Sequence, residues 1–201
     1  MNEMRENLGK ILESCMSAVS SVDEASKNRL LDLIFSCRRI FIYGSGRSGL
    51  VGQLFAVRLV QLGFDVHFVG EMTTPIIVRE DLVILLSNTG KTSSVVQTAK
   101  IARRLGSEVV SLTAEPKSEL AKSSGTVISF RIEPDSESKE TMPLGSAFED
   151  SAHLFFECLV CEIMERGNIT EEDMRSRHAI WVRFRSFMST EAGARPSPDF
   201  L

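Results

Sequence analysis

Two short loops in this sequence combine glycine with side chains that bind anions. Gly44–Gly49 and Ser87–Thr92 each follow a run of apolar residues and precede a stretch with helical periodicity. Glycine lets backbone N–H groups point at a ligand, and the positive end of a helix dipole favours negative charge at the same place. Two such loops predict a site for a ligand with a phosphate group and a polar body. The candidate ligand residues are Gly46, Arg47 and Ser48 in the first loop and Ser87, Asn88, Thr89, Gly90, Lys91 and Thr92 in the second.

The first loop matches G-x-G-x-x-G through Gly44, Gly46 and Gly49, a spacing found in dinucleotide-binding sites. Glu71, at the end of the next apolar run, would then be the acid that binds a ribose. A purely structural turn is a second alternative. We favour a sugar phosphate or similar ligand, because the arginine and serine inside the loop supply side-chain contacts that a pyrophosphate held by backbone groups does not need.

The second loop ends in Gly90-Lys91-Thr92, which is similar to the last residues of a P-loop. That motif requires another glycine five residues before Gly90, and Leu85 stands there, so the spacing argues against a nucleoside triphosphate site. Helix capping by Thr89 or Thr92 explains one hydroxyl, but not a row of hydroxyls beside a glycine. Phosphate binding accounts for more of this loop.

Glu149 is the candidate general base. It falls in the first turns of a long helical pattern, on the same face as Ala152, Phe156 and Val160. A carboxylate on an apolar face is partly removed from water, which makes it a better proton acceptor. The alternative is a first-turn glutamate that only interacts favourably with the helix dipole, and the residues alone leave both interpretations open.

His178 is a second candidate catalytic residue. It lies on a helical stripe with Met174 and Trp181, and a single histidine on such a face is more often a packed core residue than a catalyst. Cys158 and Cys161 have the spacing of half a zinc site, but no second ligand pair completes the four ligands that a structural zinc needs. We therefore expect these cysteines to be packed, reduced thiols.

The elements that must position these residues alternate between strands and helices. Nearly continuous apolar runs indicate strands covered on both faces, as in a parallel sheet, and the alternation predicts a three-layer α/β fold. We expect helices at about 3–20, 24–34, 47–62, 91–105, 117–123, 145–166 and 170–187, and strands at 39–43, 64–69, 82–86, 108–113 and 126–130. The stretch 131–141 is polar and acidic and is expected to be a loop.

Length and composition fit one globular domain. The chain has 201 residues, 43% hydrophobic and 25% charged, with a net charge of −4; we expect a single domain at 1–188 and a flexible tail at 189–201. No long basic cluster occurs, which argues against nucleic acid as a partner. The first residues lack the apolar core of a signal peptide, and the apolar run 154–164 contains acids and is too short to span a bilayer. A cytoplasmic location is therefore expected.

Six segments of the chain, which include both glycine loops and the segment around Glu149, occur in an order that resembles the sugar isomerase (SIS) domain family and, within it, the 6-phospho-3-hexuloisomerases. The resemblance covers nearly all of residues 5–182. The segments Pro143–Glu149 and Arg177–Ala179 make it more specific than the glycine loops alone. The matching segments are Tyr43–Gly49, Phe55–Leu59, Val69–Pro75, Ser87–Thr92, Pro143–Glu149 and Arg177–Ala179.

The resemblance implies a five-stranded parallel sheet between helices, a flavodoxin-like arrangement, in a homotetramer. It implies isomerisation of D-arabino-3-hexulose 6-phosphate to D-fructose 6-phosphate without a metal or organic cofactor. This reaction serves formaldehyde fixation by the ribulose monophosphate pathway, or pentose-phosphate synthesis, and is linked to 3-hexulose-6-phosphate synthase. By the same resemblance Glu149 is the base, Ser87–Thr92 binds phosphate, and His178 lies near an active site, contributed across a subunit interface.

Overall fold

The computed structural model describes residues 3–132 and 141–178. Within them, five parallel strands form one sheet in the order β2-β1-β3-β4-β5. Every predicted strand is present, with ends that differ from the predicted ends by two residues at most. The strands are β1 (Ile40–Gly44), β2 (Val66–Phe68), β3 (Leu82–Leu86), β4 (Glu108–Thr113) and β5 (Thr126–Ser129).

Helices cover both faces of this sheet. Asp23 caps the second helix by accepting a hydrogen bond from the N–H of Ser26. The helices are α1 (Glu3–Ser20), α2 (Glu24–Ser36), α3 (Gly46–Leu62), α4 (Ser93–Leu105), α5 (Glu119–Lys122), α6 (Ser146–Gly167) and α7 (Glu171–Ser176), with a 3₁₀ turn at Pro143–Gly145. This is the expected three-layer α/β/α sandwich.

The two faces of the sheet bury separate cores, because neighbouring side chains of a strand point to opposite sides. All five residues of β3 are buried. Ile84 and Leu86 pack with Phe55 of α3 and Phe156 of α6 on one face, while Val83 packs with residues of α4 on the other. Phe55 and Phe156 are stacked, with ring centroids 3.9 Å apart, so α6 is fixed against α3.

The strand order creates a crevice at the carboxyl end of the sheet. β1 and β3 are neighbours, with Gly44 paired in register with Leu86. The chain leaves β1 towards α3 on one face and leaves β3 towards α4 on the other. Such a switch point is where open α/β sheets bind ligands, and both glycine loops begin there.

The prediction of one helix from 170 to 187 is wrong in the described part of the chain, because α7 ends at Ser176. Its start is as predicted, with a capping box between Thr170 and Asp173. Arg177 has left the helical conformation, and its guanidinium donates to the carbonyl oxygens of Asp173 and Gln61. The predicted tail at 189–201 lies outside the described residues, and so does most of the predicted acidic loop.

The helices that the structure describes include no candidate for a membrane-spanning segment.

Candidate active site

The first loop is tight because its glycines touch. A Cβ atom on Gly49 would lie 2.5 Å from the carbonyl oxygen of Gly44, and Gly46 has φ of +60°. Side chains at these places would force the loop apart or strain it. The close approach lets α3 start at Gly46 immediately after β1, so Arg47 and Ser48 stand in its first turn, at the crevice.

Glu149 meets this loop from α6. It is 9% exposed, and its Oε1 accepts a hydrogen bond from Ser48 Oγ at 2.8 Å. Arg47 Nη2 lies 2.9 Å from Oε2, an ion-pair distance, but Oε2 accepts no hydrogen bond with good geometry in the part of the chain that the structure describes. Glu149 is therefore buried, with Oε1 hydrogen-bonded to Ser48 and Oε2 in an ion pair with Arg47.

Arg47 is held by a backbone group that sequence reasoning missed. Its guanidinium donates a hydrogen bond to the carbonyl oxygen of Leu144, in the 3₁₀ turn before α6. Leu144 has φ of +58° and ψ of +27°, a left-handed conformation that costs a non-glycine residue about 1–2 kcal/mol, and it is 91% exposed. Nothing in the sequence marks this residue, since the segment Pro143–Gly145 shows only that a turn precedes α6.

The hydroxyls of the second loop face one another. Ser87 Oγ and Thr92 Oγ1 are 2.9 Å apart, and Ser87 is buried. Thr92 occupies the N-cap position of α4, but its side chain makes no capping hydrogen bond, so capping does not explain its hydroxyl. Thr89 Oγ1 accepts a hydrogen bond from the N–H of Lys91 at 3.3 Å.

Two glycines bring the second loop against its neighbours. A Cβ on Gly145 would lie 2.5 Å from Asn88 Nδ2, and one on Gly90 would lie 2.0 Å from Ser118 Oγ. Asn88 thus touches the turn that leads into α6, beside the helix that carries Glu149. The structure therefore brings the second loop, the turn and the first loop together at one edge of the sheet.

The structure does not bring His178 to this site within one chain. His178 lies in a hollow with Arg58, Gln61 and Met174, at the far end of α3. Ser48 and Gln61 are thirteen residues apart on this helix, which corresponds to about 20 Å at about 1.5 Å per residue. His178 is exposed, so the interpretation as a packed core histidine is wrong in this chain.

The expectation of packed cysteines is also wrong for the pair on α6, since Cys158 and Cys161 are exposed. The buried face of α6 runs through Phe155, Phe156 and Leu159, and the pair lies outside it. Burial raises the pKa of the Cys37 thiol to about 11.

Within residues 3–132 and 141–178, no cluster of His, Cys, Asp or Glu is arranged to hold a metal ion.

The fold is a doubly wound parallel sheet, and its switch point carries a hydroxyl-rich loop and a buried glutamate. This combination is that of an α/β protein with a site for a small phosphorylated ligand. The model of the SIS domain matches residues 33–152, and the chain belongs to this family. The matched range contains both glycine loops and Glu149.

Two relatives of this chain are named for an isomerase activity. The 3-hexulose-6-phosphate isomerase of Bacillus subtilis is 35% identical over 178 residues, which are 87% of this chain and 96% of the relative. The 3-hexulose-6-phosphate isomerase of Methanocaldococcus jannaschii is 38% identical over 152 residues, 74% of this chain and 80% of the relative. A crystal structure from Methanococcus jannaschii, which infers a molecular function of 3-hexulose-6-phosphate isomerase, is 32% identical with a TM-score of 0.77, over 90% of this chain and 100% of that one.

Proposed function

We propose that this protein is an isomerase that interconverts D-arabino-3-hexulose 6-phosphate and D-fructose 6-phosphate through an enediol. The observation that carries the proposal is the buried Glu149, held by Ser48 at the switch point of the sheet. The names of the relatives supply the substrate. A protein that only binds a sugar phosphate has no need of a buried carboxylate at the ligand crevice.

Glu149 would be the base that carries the proton. The reaction moves a carbonyl between C3 and C2, so one proton must leave one of these carbons and return to the other. Ser48 holds Oε1, and Oε2, which lies beside Arg47, would take the proton and give it back on the adjacent carbon. Proton transfer by a positioned side chain contributes about 10²–10⁴-fold to a rate.

Arg47 would stabilise the enediolate oxygens. Its guanidinium stands between Glu149 and Leu144, and its side chain is half exposed, so it can also face a substrate in the crevice. The backbone N–H groups in the first turn of α3 have no acceptor within the helix, so they would contribute to the same stabilisation. Donors fixed in advance towards a developing negative charge are often the largest contribution to catalysis.

The second loop would bind the phosphate. Ser87 and Thr92 present hydroxyls at the start of α4, and Lys91 adds a positive charge. The phosphate is remote from the reacting carbons, so its binding energy would be used to position C2 and C3 against Glu149.

We further propose that the protein is a homotetramer. Exposed apolar side chains recur every four residues along α1, which places them on one face of the helix, and α6 adds a strip of exposed side chains. Exposed apolar surface of this kind marks an interface. The residues are Met4, Leu8, Leu12 and Met16 on α1 and Leu154, Cys158 and Cys161 on α6.

In the tetramer, His178 of one subunit would reach the site of another, where it would move protons between substrate oxygens or assist ring opening. The distance along α3 rules out a contact with Glu149 of its own chain. Mixing inactive Glu149→Gln and His178→Ala subunits, after dissociation and reassembly, should then restore part of the activity. No recovery in verified mixed tetramers would contradict the shared site.

The activity is tested by incubating the purified protein with fructose 6-phosphate and 3-hexulose-6-phosphate synthase as coupling enzyme. We expect turnover in the presence of EDTA. Turnover only with an aldose–ketose phosphate pair would assign the chain to another SIS isomerase reaction. Binding of fructose 6-phosphate without turnover would indicate a sugar-phosphate-binding module.

A further inference from the structure

An apolar groove of about 470 Å³ lies between α3 and the edge strand β2. Its walls are the apolar side chains of Ala56, Val57 and Val60 on the helix and Val66 and Phe68 on the strand. Val57 is 53% exposed and Val60 is 43% exposed. This surface is separate from the α1 face and from the site at the carboxyl end of the sheet, and nothing in the described ranges covers it.

The described part of the chain stops at the rim of this groove. Arg177 lines it, with its guanidinium against Gly63 and bound to the carbonyl oxygen of Gln61 at the end of α3. His178 follows directly. The next residues of the chain therefore start beside the groove, and they need no long connection to enter it.

The sequence that follows Arg177 and His178 is complementary to the groove, because it is apolar and basic while the groove is apolar and carries an acid. Between 179 and 188 it contains large apolar side chains and two arginines, with no acidic residue. At the other end of the groove stands Glu71, which is exposed. The apolar residues of this segment are Ile180, Trp181, Val182, Phe184, Phe187 and Met188, and the basic ones are Arg183 and Arg185.

We propose that residues 179–188 bind in the groove between α3 and β2 of their own chain. Apolar side chains of the segment cover Val57 and Val60, and an arginine pairs with Glu71. The groove follows the second half of α3, from Gln53 to Gln61, which is about 12 Å. A segment of this length spans it in a helical or an extended conformation. Attachment at Arg177 gives the segment a high effective concentration.

Trp181 makes the proposal measurable, because it is the only tryptophan of the chain. In the full-length protein we expect its fluorescence to be blue-shifted relative to the unfolded chain and protected from acrylamide. Val57→Lys removes an apolar contact and places a positive charge beside the basic segment. This variant should shift the emission to the red and expose Trp181 to the quencher, and Glu71→Gln should produce a smaller shift in the same direction.

Ile101→Lys is the matched control, since Ile101 is an exposed apolar residue of α4 on the opposite face of the sheet. It should leave the emission unchanged. Circular dichroism verifies that each variant is folded, and Val60→Lys provides a second groove variant if Val57→Lys is not. An emission unaffected by both groove variants would overturn the proposal. A red shift on dilution, in step with dissociation of subunits measured by light scattering, would overturn it in favour of binding to a second copy.

Discussion

The two edges of the sheet each bury a carboxylate beside an arginine, with different results. At the amino edge, both oxygens of Asp81 are fully used: Oδ1 accepts from Arg39 Nε at 3.0 Å, and Oδ2 accepts from Arg39 Nη2 at 2.7 Å and from the N–H of Val78 at 2.8 Å. At the carboxyl edge, Glu149 accepts one hydrogen bond through Oε1, and Oε2 forms an ion pair with Arg47 that lacks hydrogen-bond geometry.

The type of side chain therefore does not distinguish a structural ion pair from a reactive one. Asp81 is 1% exposed, and its charge is compensated in a fixed bidentate arrangement. The arginine beside Glu149 is shared with the carbonyl oxygen of Leu144. A buried polar atom left without a hydrogen bond carries a cost, and such costs are concentrated at functional sites.

The backbone shows the same contrast. At the carboxyl edge, positive φ angles occur at Gly46, Gly90 and Gly145 and at the non-glycine residue Leu144. Positive φ near the amino edge is found at Gly106, which caps the end of α4. The amino edge therefore uses such a residue to end a helix, and the carboxyl edge uses them to bring loops together.

The largest expected effect is on catalysis. Glu149→Gln keeps the shape of the side chain and an oxygen for the Ser48 hydroxyl, but it removes the proton acceptor. We expect kcat to fall by about 10²–10⁴-fold with little change in substrate binding or in the melting temperature. Glu157→Gln, on the same helix and paired with Arg58, is the control. Near-normal turnover of Glu149→Gln would place the base elsewhere.

At the other edge, Asp81→Ala should affect stability and not chemistry. It leaves the guanidinium of Arg39, whose side chain is 12% exposed, without its buried partner, which costs about 3–5 kcal/mol. Urea denaturation measures this loss. Asp32→Ala removes an exposed pair with Arg166 and should cost about 0–1 kcal/mol. A loss for Asp81→Ala no larger than this would remove the contrast between the two edges.

Ser87→Ala and Thr92→Ala test the second loop. Each removes a hydroxyl that would bind the charged phosphate, a hydrogen bond worth about 1.5–3 kcal/mol. The affinity for fructose 6-phosphate, measured by calorimetry, should fall accordingly in each variant, and NAD and ATP should not bind. Tight binding of NAD by the unmodified protein would instead support the dinucleotide alternative.

The smallest effect concerns the contact between the second loop and the turn before α6. Gly145→Ala places a Cβ 2.5 Å from Asn88 Nδ2 at φ of +78°, so Asn88 must move. Gly106→Ala has a similar φ of +86° with ordinary contact to Arg79. Both should lose about 1–2 kcal/mol of stability, but only Gly145→Ala should also raise KM. Equal KM values for the two variants would show that the position of Asn88 does not matter to the site.

The sequence was sufficient to predict those parts of the site that consist of residues close together in the chain. A loop after a strand and before a helix is defined by neighbouring residues, so Gly44–Gly49 and Ser87–Thr92 were predicted with their elements, and the apolar face around Glu149 follows from helical periodicity. The Arg47–Leu144 and Asn88–Gly145 contacts join residues far apart in the chain, and no periodicity reports them.

Two errors have a common physical cause. The stripe through Met174 and His178 predicted a continuous helix, but hydrogen bonds of Arg177 to α3 end it. The pair Cys158 and Cys161 was expected to be packed because it lies within a helical pattern and no second ligand pair completes a zinc site, yet both residues are exposed in one chain. Tertiary contacts decided both outcomes, and a pattern within one segment contains no information about them.

The central claim is that Glu149 moves a proton between C2 and C3 of a phosphorylated hexulose. The most direct measurement is NMR of fructose 6-phosphate incubated with the protein in deuterated water. We expect 3-hexulose 6-phosphate to appear, with solvent deuterium entering at C2 and C3 and not at C1, and we expect none of these changes with Glu149→Gln. Deuterium at C1, or the same products at an undiminished rate with Glu149→Gln, would contradict it.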